Sequence, residues 1–105
     1  MDDLKAKFAV GQVVQHLRFE YRGVIVDVDA TFQGTDEWYE EVARSRPPRD
    51  RPWYHVLVHE ADHMTYVAER HLAADPRGEP IRHPLVSHYF DGFRDGHYER
   101  MRTVN

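Results

Sequence analysis

The chain has 105 residues and a formal net charge of −4, from 14 lysines and arginines against 18 acids. No uninterrupted apolar run is longer than three residues, so a transmembrane helix, which needs about 20, is excluded. The acidic balance argues against generic nucleic-acid binding, which needs a basic face. The absence of cysteine excludes disulfides and thiolate catalysis.

One domain covering residues 1–105 is the expectation for this length. The start, MDDLKAKF, contains no hydrophobic region typical of a signal peptide. Together with the missing cysteines, it predicts a cytoplasmic protein.

Four short valine-rich segments, separated by turn-prone residues, follow the pattern of β-strands. In the second segment, alternation predicts Val24, Val26 and Val28 on the core face. Ile25, Asp27 and Asp29 would share the other face, with the two aspartates towards water. The four predicted strands are residues 10–16, 21–29, 53–60 and 64–69.

The long connection between the second and third strands, residues 30–52, contains TDEWYEEVARSR, which predicts one short helix. Thr35 or Asp36 would cap its N-terminus, and Trp38 and Val42, four residues apart, would anchor it. Two arginines would complement the dipole at its last turn before two prolines end it.

The C-terminal part is predicted to begin with an extended segment that crosses the protein surface, residues 73–84, and to continue with an aromatic-rich segment. We expect residues 73–105 to form a tail whose aromatic side chains lie over the sheet: Tyr89, Phe90, Phe93 and Tyr98. The predicted fold is mainly β, either a small, strongly bent antiparallel sheet or an SH3-like barrel with one short helix.

The stretch His59-Glu60-Ala61-Asp62-His63 matches H-E-x-x-H, the zinc-protease motif. Its chemistry depends on a helix, because only helical spacing turns both histidines to one side. Here the motif follows an alternating β segment and is predicted to form a hairpin turn. We therefore expect no metal site, no cofactor and no zinc hydrolase.

The other histidines and acids also fit structural roles. His16 and His55 lie in predicted strands and should be partly buried and hydrogen-bonded, whereas His71 should be exposed. Asp27 and Asp29 should form a solvated face. Neither serine lies in a nucleophile elbow, so no catalytic residue is predicted and the protein should not be an enzyme.

One local basic feature stands out in this acidic chain. Arginines cluster at the end of the predicted helix and just after it, flanked by Trp38, Tyr39 and Trp53, and two more lie on the first hairpin. Arginines beside aromatic rings fit a nucleic-acid or peptide surface, although a solvated proline-arginine loop is the simpler alternative. The candidate binding residues are Arg18, Arg22, Arg44, Arg46, Arg49 and Arg51.

Motifs spread over about residues 7–90 resemble the heat-shock protein HspQ family, also called the YccV-like or hemimethylated-DNA-binding domain. They are KFAVGQVVQH, YRGVIVDVD, WYHVLV, TYVAERHL and EPIRHPLVSHYF, in this order. The tail, HPLVSHYFDGFRDGHYE, resembles the longer forms of the domain more than the enterobacterial HspQ tail.

The resemblance implies a small bent β-sheet or barrel, a cytosolic bacterial setting and no catalysis. It also implies two functions. One is proteostasis, in which the domain promotes degradation of denatured proteins such as DnaA as a specificity factor of the Lon protease. The other is binding of hemimethylated DNA. The acidic charge favours protein partners, and exposed sheet edges would permit a homo-oligomer.

Overall fold

The computed structural model describes residues 5–100, so residues 1–4 and 101–105 of the expected domain and tail lie outside the described part. Five strands form one antiparallel sheet in the order β4-β3-β2-β1-β5. Their bounds are Val13–His16 (β1), Arg22–Asp29 (β2), Trp53–Val58 (β3), Met64–Ala68 (β4) and Leu72–Ala74 (β5). A separate hairpin contains Phe90–Arg94 (β6) and His97–Arg100 (β7). The helices are Asp36–Val42 (α1) and Val86–Tyr89 (α2), and a 3-10 turn, Glu69–His71, joins β4 to β5.

The predicted mainly β, antiparallel fold is confirmed, and each of the four predicted strands occurs. The sheet does not close into a barrel, because in residues 5–100 no ladder joins its outer strands, β4 and β5. The sequence reading missed β5, which has only three residues and no β-branched side chain. It also missed the pairing of β6 with β7.

The core covers both faces of the five-stranded sheet. The cluster under the C-terminal hairpin consists of Val13, Val24, Val26, Leu57, Ile81, Phe90 and Tyr98. The cluster on the opposite face consists of Val14, Ile25, Tyr54, Val56, Val67 and Leu72. Burial on both faces explains why β3 carries bulky side chains in both directions.

The predicted orientation of β2 holds for Val24 and Val26, which share one cluster, and is wrong for Val28. The ladder pairs Ile25 with Val56 and Asp27 with His55, which leaves Val26 as an extra residue. Such a β-bulge shifts the alternation of side chains by one position. Ile25 precedes the bulge and is 0% exposed because the second cluster covers its face of the sheet. Val28 follows the bulge and packs against this same cluster, not beside Val24 and Val26 as predicted.

A close backbone approach explains the glycine at the second position of β2, Gly23. A Cβ on Gly23 would lie 2.5 Å from both the carbonyl oxygen of Leu57 and Cγ1 of Val56. Real Cβ atoms do not come this close to other atoms, so a side chain at this position would separate β2 from β3.

Helix α1 begins as predicted but ends earlier. The Thr35 side chain accepts a hydrogen bond from the backbone N–H of Trp38 at 3.0 Å, which is the predicted cap. The helix stops at Val42, so the arginines at 44 and 46 follow it and do not occupy its last turn. Tyr39 and Ala43 anchor it in the core, whereas Val42 is 57% exposed, contrary to the prediction.

The aromatic tail packs on the sheet through its hairpin. Phe90 and Tyr98 are buried in the core, and the Tyr98 hydroxyl accepts a hydrogen bond from the N–H of Ile81 at 2.9 Å. Asp95 and Gly96, both with positive φ, make the two-residue turn between β6 and β7. An Asp-Gly turn is a known hairpin signal, so the sequence contained the information needed to predict this hairpin.

Candidate partner-binding cleft

An open cleft of about 480 Å³ runs beside β4, the outer strand of the sheet. Three sequence-distant segments form most of it, and Trp53 and His71 complete the lining. The turn between β1 and β2 forms one wall, the end of α1 with the loop after it forms the other, and β4 contributes all five of its residues, Met64–Ala68. No single motif of the sequence could have predicted this arrangement.

Apolar side chains are exposed around the cleft. Phe19 is 68% exposed, Val42 57% and Met64 43%, and all three line it. Among the described residues, only Leu17 and Leu85 are further large apolar side chains with comparable exposure, and Leu17 belongs to the same turn as Phe19. Exposed apolar groups concentrated in one place are typical of interaction surfaces.

An aromatic cluster supports the helix side of the cleft. Trp38, Trp53 and Tyr66 line it, with ring centroids 5.2 to 6.1 Å apart. The Tyr66 hydroxyl donates to Asp29 at 2.7 Å, and burial followed by this hydrogen bond raises the pKa of Tyr66. Because the rings contact one another, this wall is largely preformed.

His16 organises the opposite wall. Its Nδ1 accepts hydrogen bonds from the backbone N–H groups of Arg18 and Phe19, at 3.1 and 3.0 Å. Its ring lies 4.8 Å from the Phe19 ring and stacks on His71 at 5.6 Å. The predicted partly buried and hydrogen-bonded role is thus confirmed for His16. His71, which we expected to be exposed, is half-buried.

The pKa of His16 is lowered from 6.5 to about 4, by burial first and then by the charges of His71 and Arg18. The unfolded chain therefore binds a proton at a higher pH than the folded chain does. The contribution of His16 to stability is complete above pH 6.5 and is lost as the pH falls from 6.5 to 4. Burial, then Arg70 and Arg18, also lowers the pKa of His71, so both imidazoles of the cleft are neutral at pH 7.

The structure separates the six candidate arginines into groups. Arg18 and Arg44 are exposed and line the cleft. Arg46 makes an ion pair with Glu40 at 2.8 Å, and Arg49 makes one with Asp36 at 2.5 Å. Arg51 is exposed and lies outside the cleft lining.

The sixth, Arg22, is buried away from the other five. Its Nε lies 3.0 Å from Oδ2 of Asp75, and its guanidinium also donates to the carbonyl of Glu79 at 2.6 Å. The Arg22 and Asp75 side chains are 10% and 1% exposed. This pair fixes the segment after β5 to the sheet and leaves little of the guanidinium accessible to a partner.

The H-E-x-x-H motif forms the predicted hairpin turn between β3 and β4, and Glu60 has a φ of +60°. His59 Nδ1 accepts the backbone N–H of Arg82 at 2.8 Å. His83 Nε2 contacts the carbonyl oxygen of His63 at 3.0 Å. The His59 and His83 side chains thus hold the segment that follows β5 against the turn. The sequence did not reveal this role.

One group of described side chains has the spacing of metal ligands, namely Asp27, Asp29 and His55, whose ligand atoms lie within 4.8 Å of one another. Asp29 is half-buried, contrary to the predicted solvated face. Its carboxylate already accepts from Tyr66 and contacts His55 Nε2 at 3.2 Å. These hydrogen bonds account for the grouping without a cation.

Sequence reasoning also missed a serine–histidine contact in the cleft. Ser45 Oγ lies 2.9 Å from His71 Nε2. A hydrolytic triad needs a carboxylate to orient the histidine, and no aspartate or glutamate is among the described residues that line the cleft. We interpret the contact as fixing the His71 ring.

The fold and the cleft define a small antiparallel β domain that presents an aromatic, cationic groove. The family model described as hemimethylated DNA-binding protein YccV like matches residues 6–97. The chain belongs to the YccV-like family, as the resemblance indicated. In the described part of the chain, no helix is long and apolar enough to cross a membrane.

Proposed function

We propose that this protein is a non-enzymatic proteostasis module that binds denatured polypeptides and promotes their degradation as a specificity factor of the Lon protease. The observation that carries the proposal is the cleft beside β4, with its exposed apolar rim and preformed aromatic wall. Denatured chains expose apolar side chains, and a groove that buries them gains about 25 cal/mol per Å².

The charge distribution supports a protein partner over DNA. Two of the four arginines in the loop after α1, Arg46 and Arg49, are paired with acids of the helix, and Arg22 is buried. A phosphate-binding face needs accessible cations, and the net charge of −4 weakens the long-range attraction of this chain to DNA.

A reconstituted degradation assay tests the proposal. Turnover of a denatured substrate such as DnaA by Lon is measured with and without the protein, and then with the double variant Phe19→Ser/Met64→Glu. Leu85→Ser is the matched control, because Leu85 is 41% exposed but lies outside the cleft lining. We expect the wild-type protein and the control to stimulate turnover and the double variant not to. Unchanged turnover with wild-type protein across several substrates would refute the proposal.

Binding of hemimethylated DNA is the second candidate, supported by the description of the family and by four arginines between residues 44 and 51. Binding to hemimethylated and unmethylated duplexes over a salt series tests it, because phosphate contacts weaken as salt rises. Arg46→Glu should abolish such binding. Equal affinity for both duplexes would exclude methylation-specific recognition.

The cytoplasmic location and the homo-oligomer stay predictions of the sequence. Light scattering on the purified protein measures the oligomeric state directly, and a monomer at all concentrations would exclude self-association through the sheet edges.

A further inference from the structure

The outer edge of β4 is open for pairing. Backbone hydrogen bonds from Val58 N to His63 O and from Glu69 N to Pro52 O bracket the β3–β4 ladder. In an antiparallel ladder, bonded and non-bonded positions alternate. Thr65 and Val67 therefore bond to β3, and the intervening residues turn their N–H and C=O groups outward. No other described strand pairs with β4.

The cleft follows this edge and does not lie on one face of the sheet. Successive residues of β4 point to opposite faces, and the cleft contacts both sets. Thr65 lies on one side, 2.7 Å from the Tyr21 hydroxyl, and Tyr66 lies on the other, against Trp38 and Trp53. The floor between the two walls is thus the backbone edge of β4.

The charges of the cleft select the kind of segment that fits. The lining residues include two guanidinium groups, Arg18 and Arg44, and no carboxylate. The cleft is therefore locally cationic on an acidic chain. Acidic groups flanking an apolar centre would complement this arrangement.

We propose that an extended polypeptide segment adds to the edge of β4 as a sixth strand, with apolar side chains in the cleft and flanking carboxylates at Arg18 and Arg44. This inference rests on the proposed function and specifies its ligand. The five residues of β4 accommodate about 17 Å of extended chain. Backbone hydrogen bonds would supply affinity independent of sequence, and the side-chain pockets would supply selectivity.

A labelled, end-blocked peptide, Glu-Val-Phe-Val-Tyr-Val-Val-Glu, whose two glutamates point to opposite sides of an extended strand, is a suitable probe in fluorescence anisotropy. Two N-methylated versions of the probe are compared. One carries methyl groups on the odd-numbered backbone amides and the other on the even-numbered ones, and we call these two sets of amides the two phases. Only one phase of amides faces β4 in an added strand, so one version should lose at least about tenfold in affinity, roughly 1.4 kcal/mol, and the other should bind nearly as tightly as the probe. Equal effects of both phases, or no binding of the unmodified probe, would overturn strand addition.

A charge-reversed variant tests whether the two arginines of the cleft select acidic flanks. Arg18→Glu/Arg44→Glu should weaken the acidic probe and strengthen a version with lysine flanks, whereas Arg46→Glu, outside the cleft lining, should change neither. A double variant that binds both probes as the wild-type protein does would contradict the charge argument. In a separate competition experiment, displacement of the probe by a hemimethylated duplex would assign the cleft to DNA.

The two proposals can fail separately. If the protein stimulates Lon but the probes show no phase dependence, the proteostasis function stands and strand addition is wrong. If a probe binds with phase dependence but Lon turnover does not change, the peptide site stands and the proteostasis function is wrong.

Discussion

Replacing Arg22 by methionine tests whether this arginine is structural or contacts a partner. The substitution keeps much of the side-chain volume but leaves Asp75, 1% exposed, as an unpaired buried charge. Its second carboxylate oxygen, Oδ1, already has no hydrogen-bond partner among the described residues. Breaking a buried ion pair by removing one partner costs about 3–5 kcal/mol.

For a domain of about 100 residues, 1 kcal/mol shifts the melting temperature by about 4 °C or more. We therefore expect Arg22→Met to lower the melting temperature by at least roughly 12 °C, measured by circular dichroism. Arg18→Met, at an exposed site, should have almost no effect.

The double variant Arg22→Met/Asp75→Leu separates the loss of a pair from a general packing defect. Because it removes both charges, it should regain most of the lost stability. A single Arg22→Met variant as stable as Arg18→Met would refute a structural role for the pair.

Three further predictions concern stability. His16→Asn keeps a side-chain acceptor for the turn but cannot titrate. Between pH 6.5 and 4, the free energy of unfolding measured with urea should therefore fall by about 3 kcal/mol less in this variant than in the wild-type protein. Equal losses in the two proteins would contradict the low pKa of His16. Tyr54→Ala removes a 0% exposed ring and its hydroxyl bond to Glu69 at 2.5 Å, so it should cost about 3 kcal/mol or more; an unchanged melting point would exclude this role. Gly23→Ala forces β2 away from β3 and should broaden or lower the thermal transition, and wild-type melting would show that the strands can adjust.

Local patterns predicted the strands well because β-branched alternation and turn residues act over short distances. WYHVLV and MTYVA became β3 and β4, and the H-E-x-x-H motif became their turn. The Thr35 cap was also predicted, since it depends on residues three apart.

Features that depend on tertiary contacts could not be predicted. The bulge at Val26 is visible only in the pairing of β2 with β3, and it moves Val28 to the face of Ile25. The six arginines looked alike in the sequence, but the partner that buries Arg22, Asp75, lies 53 residues further along the chain. The cleft itself joins several segments that are far apart in the sequence.

Site-specific photo-crosslinking tests the central claim that denatured chains bind beside β4 most directly. A benzoylphenylalanine at position 42, where Val42 is 57% exposed in the cleft, is compared with one at position 85, where Leu85 is 41% exposed elsewhere. We predict that denatured substrate crosslinks to position 42 and not to position 85. Equal crosslinking at both positions, or crosslinking at position 85 alone, would contradict the account.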